Sequence, residues 1–122
     1  MSISDAESNV MQVLWQRSPL TAEDIHAALA GSQGWHESTV KTLLSRLVNK
    51  QVVAATRDGR RYLYAPLLTR DDWLHSESES VLDRLFGGRI APMVTHFSQR
   101  RQLSKKDIAE LKKLISELDD GQ

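Results

Sequence analysis

Hydrophobic positions along this chain recur mostly at helical spacing and change to strand spacing once. Val40, Leu43, Leu44, Leu47 and Val48 fall at i, i+3, i+4, i+7 and i+8, one face of an α-helix. The opposite face carries Lys41, Thr42, Ser45, Arg46 and Asn49. The start of this helix lies between His36 and Ser38. A first helix is expected from about Ser4 to Arg17, burying Val10, Met11, Leu14 and Trp15 and stopped by Ser18-Pro19. A second is expected from Thr21 to about Ala30, burying Ile25, Ala28 and Leu29 and ending at Gly31. After the third helix the pattern changes. Two strands, about Val52–Arg57 and Arg61–Ala65, flank an Asp58-Gly59 hairpin signature, and Pro66 closes the second.

Three more helices follow. One spans roughly Thr69 to Phe86 and stops at Gly87-Gly88. One takes Pro92 near its first turn and carries Met93, Val94 and Phe97. The last runs from Ser104 to about Leu118, with Ile108, Leu111, Leu114, Ile115 and Leu118 on one stripe. The helix starts share one grammar. Ser4-Asp5-Ala6-Glu7 is a capping box, and Thr21 to Asp24, Thr69 to Asp72 and Ser104 to Asp107 are variants of it. The expected fold is therefore mainly α with a small β-hairpin wing. A winged helix-turn-helix domain would occupy residues 1–68, and a three-helix dimerisation region residues 69–122.

Composition narrows the chemistry. The 122 residues contain no cysteine, which excludes disulfides, thiolate metal sites and thiol catalysis. No apolar run approaches the roughly 20 residues of a membrane span, and no signal-peptide layout is present, so a cytoplasmic location is expected. His26, His36, His75 and His96 lack helical pair spacing for a metal, and no cofactor is expected. There is no nucleophile elbow and no phosphate loop, and the carboxylates sit mainly at helix starts. An enzyme is not expected. Trp15, Trp35 and Trp73 suit core anchors.

Formal net charge is zero, yet it is unevenly placed. Residues 1–35 carry Arg17 against Asp5, Glu7, Glu23 and Asp24. Residues 36–66 carry Lys41, Arg46, Lys50, Arg57, Arg60 and Arg61 against Glu37 and Asp58, a net +4. Local potential steers a polyanion better than total charge does. The basic stretch coincides with the helix-plus-hairpin unit, which can lay a helix in the DNA major groove with the hairpin beside it. Burying the leucine face leaves Thr39, Lys41, Thr42, Ser45 and Arg46 outward. Short hydroxyl side chains allow close approach to the groove, while Lys and Arg reach base acceptors or phosphates. Arg57, Arg60 and Arg61 would meet the adjacent backbone or minor groove. The competing reading is an amphipathic core helix whose outer face is merely solvated.

Leu20-Thr21-Ala22, the run Ser38-Thr39-Val40-Lys41-Thr42-Leu43-Leu44-Ser45-Arg46-Leu47, and Gly59-Arg60-Arg61-Tyr62-Leu63-Tyr64 together resemble the BlaI/MecI/CopY penicillinase-repressor family. The likeness continues through Phe86-Gly87-Gly88 to Phe97. The resemblance implies a homodimeric repressor with a winged-helix N-terminus and a helical dimerisation region. It implies a palindromic duplex DNA operator, with Thr39, Lys41, Thr42 and Arg46 on the DNA-facing helix. In the β-lactam-responsive branch it further implies release through a membrane sensor-protease system, by cleavage of an Asn-Phe bond. The matching position here is His96-Phe97, whose first residue departs from that pattern. The copper-responsive branch uses a cysteine-rich tail, which a cysteine-free chain cannot supply.

Elementary physics also favours a dimer. A segment of about 50 residues with three amphipathic helices buries little apolar surface alone. Trp73, Leu74, Val81, Leu85, Phe86, Met93, Val94, Phe97, Leu111, Leu114, Ile115 and Leu118 need a partner. The N-terminal domain is one option, and a twofold copy of the same segment the other. Two further functions compete with repression: a winged-helix regulator sensing a small ligand, and a winged-helix adaptor for protein partners.

Overall fold

In a computed structural model, residues 2–121 are described, and the elements run α1 (Asp5–Gln16), α2 (Ala22–Gln33), α3 (Glu37–Asn49), β1 (Val53–Asp58), β2 (Arg61–Pro66), α4 (Arg70–Phe86), α5 (Ile90–Gln99) and α6 (Lys105–Asp120). Contacts divide the chain after Ser76. The mainly helical chain with one antiparallel hairpin is the fold class expected from the pattern.

The first unit holds the core. Val10, Met11, Leu14, Ile25, Leu29, Val40, Leu43, Leu44, Leu47, Val52 and Val53 are buried where α1, α2, α3 and the hairpin meet. Capping boxes form in full at Ser4 and Thr21. Each satisfies amide donors that the first helical turn leaves open. Helix α2 outruns its expected end. Gly31 stays helical, and the left-handed residue that closes the helix is Gly34, at φ +66°. Ala28 is exposed rather than buried, and Ala22 takes its place on the inner face.

In the hairpin, Val53 pairs with Pro66 and Asp58 with Arg61, so the turn is Gly59-Arg60, one residue later than the Asp-Gly signature suggests. Gly59 takes the positive φ that the tight turn needs. Leu20 adds a short third rung, exchanging backbone hydrogen bonds of 3.0 and 2.8 Å with Tyr64. That rung ties the α1–α2 connection to the wing. Trp15 donates from its indole to the Leu68 carbonyl at 2.8 Å, and its ring lies 5.3 Å from that of Trp73. Trp73 is thus packed within its own chain, against the first unit's core.

The second unit contains the end of α4, with α5 and α6, and no described residue of these helices is buried. Ser104 forms another full capping box, with Asp107. Leu74 of the first unit, and Leu85, Phe97, Leu114, Ile115 and Leu118 of the second, are exposed. Val81, Phe86, Met93, Val94 and Leu111 are half-buried. His96 and Phe97 lie in the second half of α5.

Candidate nucleic-acid interface

Helix α3 presents two opposed faces. Val40, Leu44 and Leu47 have no exposed surface, which anchors the helix on α1 and α2. Lys41, Thr42, Ser45 and Arg46 are exposed on the other side, and Thr39 is half-buried at its edge. His36 stands at the N-cap of the helix and makes no side-chain capping hydrogen bond.

The wing brings Arg57, Arg60 and Arg61 to the same unit, all exposed. Two grooves join it to α3. One, of about 150 Å³, is lined by Lys41, Arg60, Arg61, Tyr62 and Tyr64, with Ala22 and Glu23 of α2. The other, of about 220 Å³, is lined by Ser45, Val48 and Asn49 of α3 and by Ala55, Tyr62 and Tyr64 of the wing. The structure therefore gathers Lys41, Ser45, Arg60 and Arg61 around one tyrosine-lined surface. Tyr62 borders both grooves and is about half exposed (48%). It was not singled out from sequence, although Tyr62 and Tyr64 at i, i+2 must share a strand face.

The cations differ in how they are held. Lys41 lies 3.5 Å from Glu37 one helical turn back, and Arg61 lies 3.1 Å from Asp58. Arg57 donates to the Gly59 carbonyl at 3.0 Å. These exposed contacts contribute little, so they yield readily to a phosphate. The Thr42 hydroxyl donates to the Ser38 carbonyl at 3.0 Å. Arg46 and Arg60 have no protein partner among the described residues.

Lys50 corrects the charge reading. Its ammonium turns inward, 2.6 Å from the Glu7 carboxylate and 3.0 Å from the Ser2 carbonyl. Glu7 is only 1% exposed. Burial pushes its pKa up, but the Lys50 ammonium and the Ser4 amide outweigh that and hold the carboxyl below its ordinary 4.5. The sequence reading took Glu7 only as a capping residue. Its spacing from Val10 and Met11, three and four positions, was the signal that it shares their buried face. Among the described residues no three His, Cys, Asp or Glu side chains are grouped to hold a metal.

The sequence matches the penicillinase repressor family pattern over residues 3–117. The chain belongs to the penicillinase repressor family. It is 33% identical to the penicillinase repressor of Bacillus licheniformis over 115 residues, covering 94% of this chain and 90% of that one. It is 25% identical to the penicillinase repressor of Staphylococcus aureus over 118 residues, 97% of this chain and 94% of that one. Among solved structures, it resembles the DNA-binding domain of the repressor BlaI, with 32% identity and a TM-score of 0.54 over 58% of this chain and 87% of that one. It also resembles monomeric Bacillus licheniformis BlaI in complex with the blaP half-operator. There the identity is 32% and the TM-score 0.52, over 59% of this chain and 88% of that one.

Proposed function

We propose that this penicillinase-repressor family member is a DNA-binding transcriptional repressor that works as a cytoplasmic homodimer on a palindromic operator. The carrying observation is the exposed face of α3 (Lys41, Thr42, Ser45 and Arg46), set beside the Arg57, Arg60 and Arg61 wing and backed by a fully buried leucine face. Arg46 and Lys41 reach base acceptors in the major groove, and the wing arginines grip phosphate. The related BlaI structure holds a half-operator as a monomer. Two copies of this chain then cover two half-sites about 34–36 Å apart, which is how small winged domains gain affinity. Occupancy, rather than catalysis, is the activity. Among the described residues no helix is long and apolar enough to cross a membrane.

Release follows from a signal acting on the second unit. A sensor-protease cutting His96-Phe97 would detach α6 from α4 and the first half of α5, removing part of the pairing surface. Binding to duplex DNA from upstream of its own gene, against random DNA across a salt series, tests the main reading. Tight, selective binding with a steep salt slope is expected. Weak binding, equal on both DNAs, sinks it.

A further inference from the structure

Three residues, Leu67 to Thr69, connect the wing to α4, and their backbone is tied down. The amides of Leu67 and Leu68 both donate to the carbonyl of buried Val52, at 2.8 and 3.3 Å. The Leu68 carbonyl accepts the Trp15 indole N–H at 2.8 Å. The Thr69 hydroxyl accepts from the Asp72 amide at 3.1 Å and so caps the helix. One turn further, the Trp73 ring lies against that of Trp15, with centroids 5.3 Å apart and planes inclined by 40°. The Trp73 indole N–H has no protein partner among the described residues, so ring packing is what seats this side chain. Trp73 is the apolar side chain of α4 that packs against the first unit's core, whereas Leu74 beside it is exposed. All of these groups belong to the first unit, which ends at Ser76. Yet α4 is one uninterrupted helix from Arg70 to Phe86, and its residues from Glu77 onward belong to the second unit. Segments between units are commonly open, polar linkers. This one is short and hydrogen-bonded, and it leads straight into a helix.

We propose that Trp73 is a positioning residue for operator binding. Packed against Trp15, it fixes the start of α4 on the winged domain, so that a dimer offers its two recognition helices at the spacing of the half-sites. This rests on the homodimeric-repressor reading and adds how the chain sets that spacing. Once one winged domain is bound, the second reaches its half-site in an intramolecular step. The advantage of that step is largest when the connection matches the span, and it falls as the connection loosens. A lone half-site needs only one winged domain, so its affinity does not depend on Trp73. The intact operator needs two domains held in register, and there the seat of Trp73 matters.

Footprinting on duplex DNA from upstream of its own gene supplies three probes. They are the protected palindrome, a duplex holding one half of it, and the palindrome with about 5 base pairs, half a helical turn, inserted at its centre. Full-length wild type, Trp73→Ala, Trp73→Phe and Ser78→Pro are titrated on each. Wild type should bind the intact palindrome tightest and lose most of that advantage with the insertion. Trp73→Ala should hold the half-site within about twofold of wild type, bind the palindrome about tenfold more weakly, and tolerate the insertion better. Trp73→Phe keeps a ring in the seat and loses only an unpaired N–H, so it should follow wild type on all three probes. Ser78 is exposed and lies beyond the ring contact. Proline there kinks α4 past an intact Trp15–Trp73 pair, and should reproduce the Trp73→Ala pattern. Equal losses on half-site and palindrome, from a Trp73→Ala chain that still melts cooperatively, would overturn the proposal by reducing Trp73 to a fold residue. Ser78→Pro binding the palindrome like wild type would overturn it as well, whatever the fold of Trp73→Ala. Sedimentation of Trp73→Ala as a monomer, where wild type is a dimer, would move the effect from spacing to assembly and also overturn it. A wild type that is itself a monomer, or that prefers the palindrome no more than its half, would instead overturn the homodimer reading beneath it.

Discussion

The two units contain the same kinds of amphipathic helix and treat them in opposite ways. In the first, Val10, Met11, Leu14, Ile25, Leu44 and Leu47 lose essentially all their surface between three helices and a hairpin. In the second, Leu85, Ile90, Leu114, Ile115 and Leu118 each keep more than half of theirs. A full burial is worth about 1.5–3 kcal/mol per large apolar side chain. The first unit therefore has a driving force of its own, while in the second no described residue of α5 or α6 is buried. An apolar stripe tells that a helix face is destined for burial. What covers it is a separate question, and here the two halves of one chain answer it differently.

The sharpest way to break this comparison is to truncate one residue on each side. Leu44→Ala should lower the unfolding free energy of the first unit by about 2–5 kcal/mol in urea titrations, through lost transfer energy and a cavity. Ile115→Ala should leave that unit within about 0.5 kcal/mol of wild type while weakening self-association. An Ile115→Ala chain that loses core stability as heavily as Leu44→Ala would end the distinction.

The buried Glu7–Lys50 pair is the polar counterpart of that core, so Lys50→Met should cost the first unit about 2–3 kcal/mol at pH 7. This lies below the range for a fully enclosed pair because the Lys50 side chain is 35% exposed. The sign with pH is definite. The folded Glu7 carboxyl titrates below 4.5, so its contribution is present above that value and is lost as pH falls through the lower, folded pKa. Urea midpoints for wild type and Lys50→Met should then converge in acid. A gap that stays constant from pH 7 to pH 3 would contradict the assignment.

On the DNA side, Lys41→Ala should weaken operator binding by about 1–3 kcal/mol if it reads a base. Arg60→Ala should weaken operator and random DNA alike and lower the salt slope by about one. Fluorescence titrations at several salt concentrations separate the two, and equal loss on both DNAs for Lys41→Ala would reassign it to phosphate.

The smallest effect concerns helix ends. Gln51 closes α3 at φ +64° and Arg101 closes α5 at φ +57°, each with the paired backbone bonds of a Schellman turn. Gln51→Gly should raise first-unit stability by about 0.5–1 kcal/mol by relieving the left-handed strain. Arg101→Gly, in the other unit, should leave first-unit melting unchanged.

Much of this was legible before any coordinates. The capping residues Ser4, Thr21 and Ser104, the leucine face of α3 and the Gly87-Gly88 stop are local signals, and each was read in place. The errors were non-local or nearly degenerate. Gly31 and Gly34 both look like helix stops, and only the backbone angle distinguishes them. The Asp58-Gly59 signature marks a hairpin but leaves its register open by one residue, which strand pairing decides. Tyr62 became part of the candidate interface only when α3 and the wing were placed side by side.

By itself, then, the sequence determined the capped helix starts at Ser4, Thr21, Thr69 and Ser104, the amphipathic faces, the hairpin and the concentration of basic residues around α3, because each depends on neighbours within a turn or a strand. Tertiary structure alone decided which charges are available. Lys50 looks the same in sequence as Lys41, yet it faces Glu7, 43 positions away, while Lys41 stays on the outer face of α3. It likewise decided that Trp73 closes over Trp15, and that α6 reaches no buried position. Contacts between residues distant in sequence depend on how elements pack, and no local pattern encodes that.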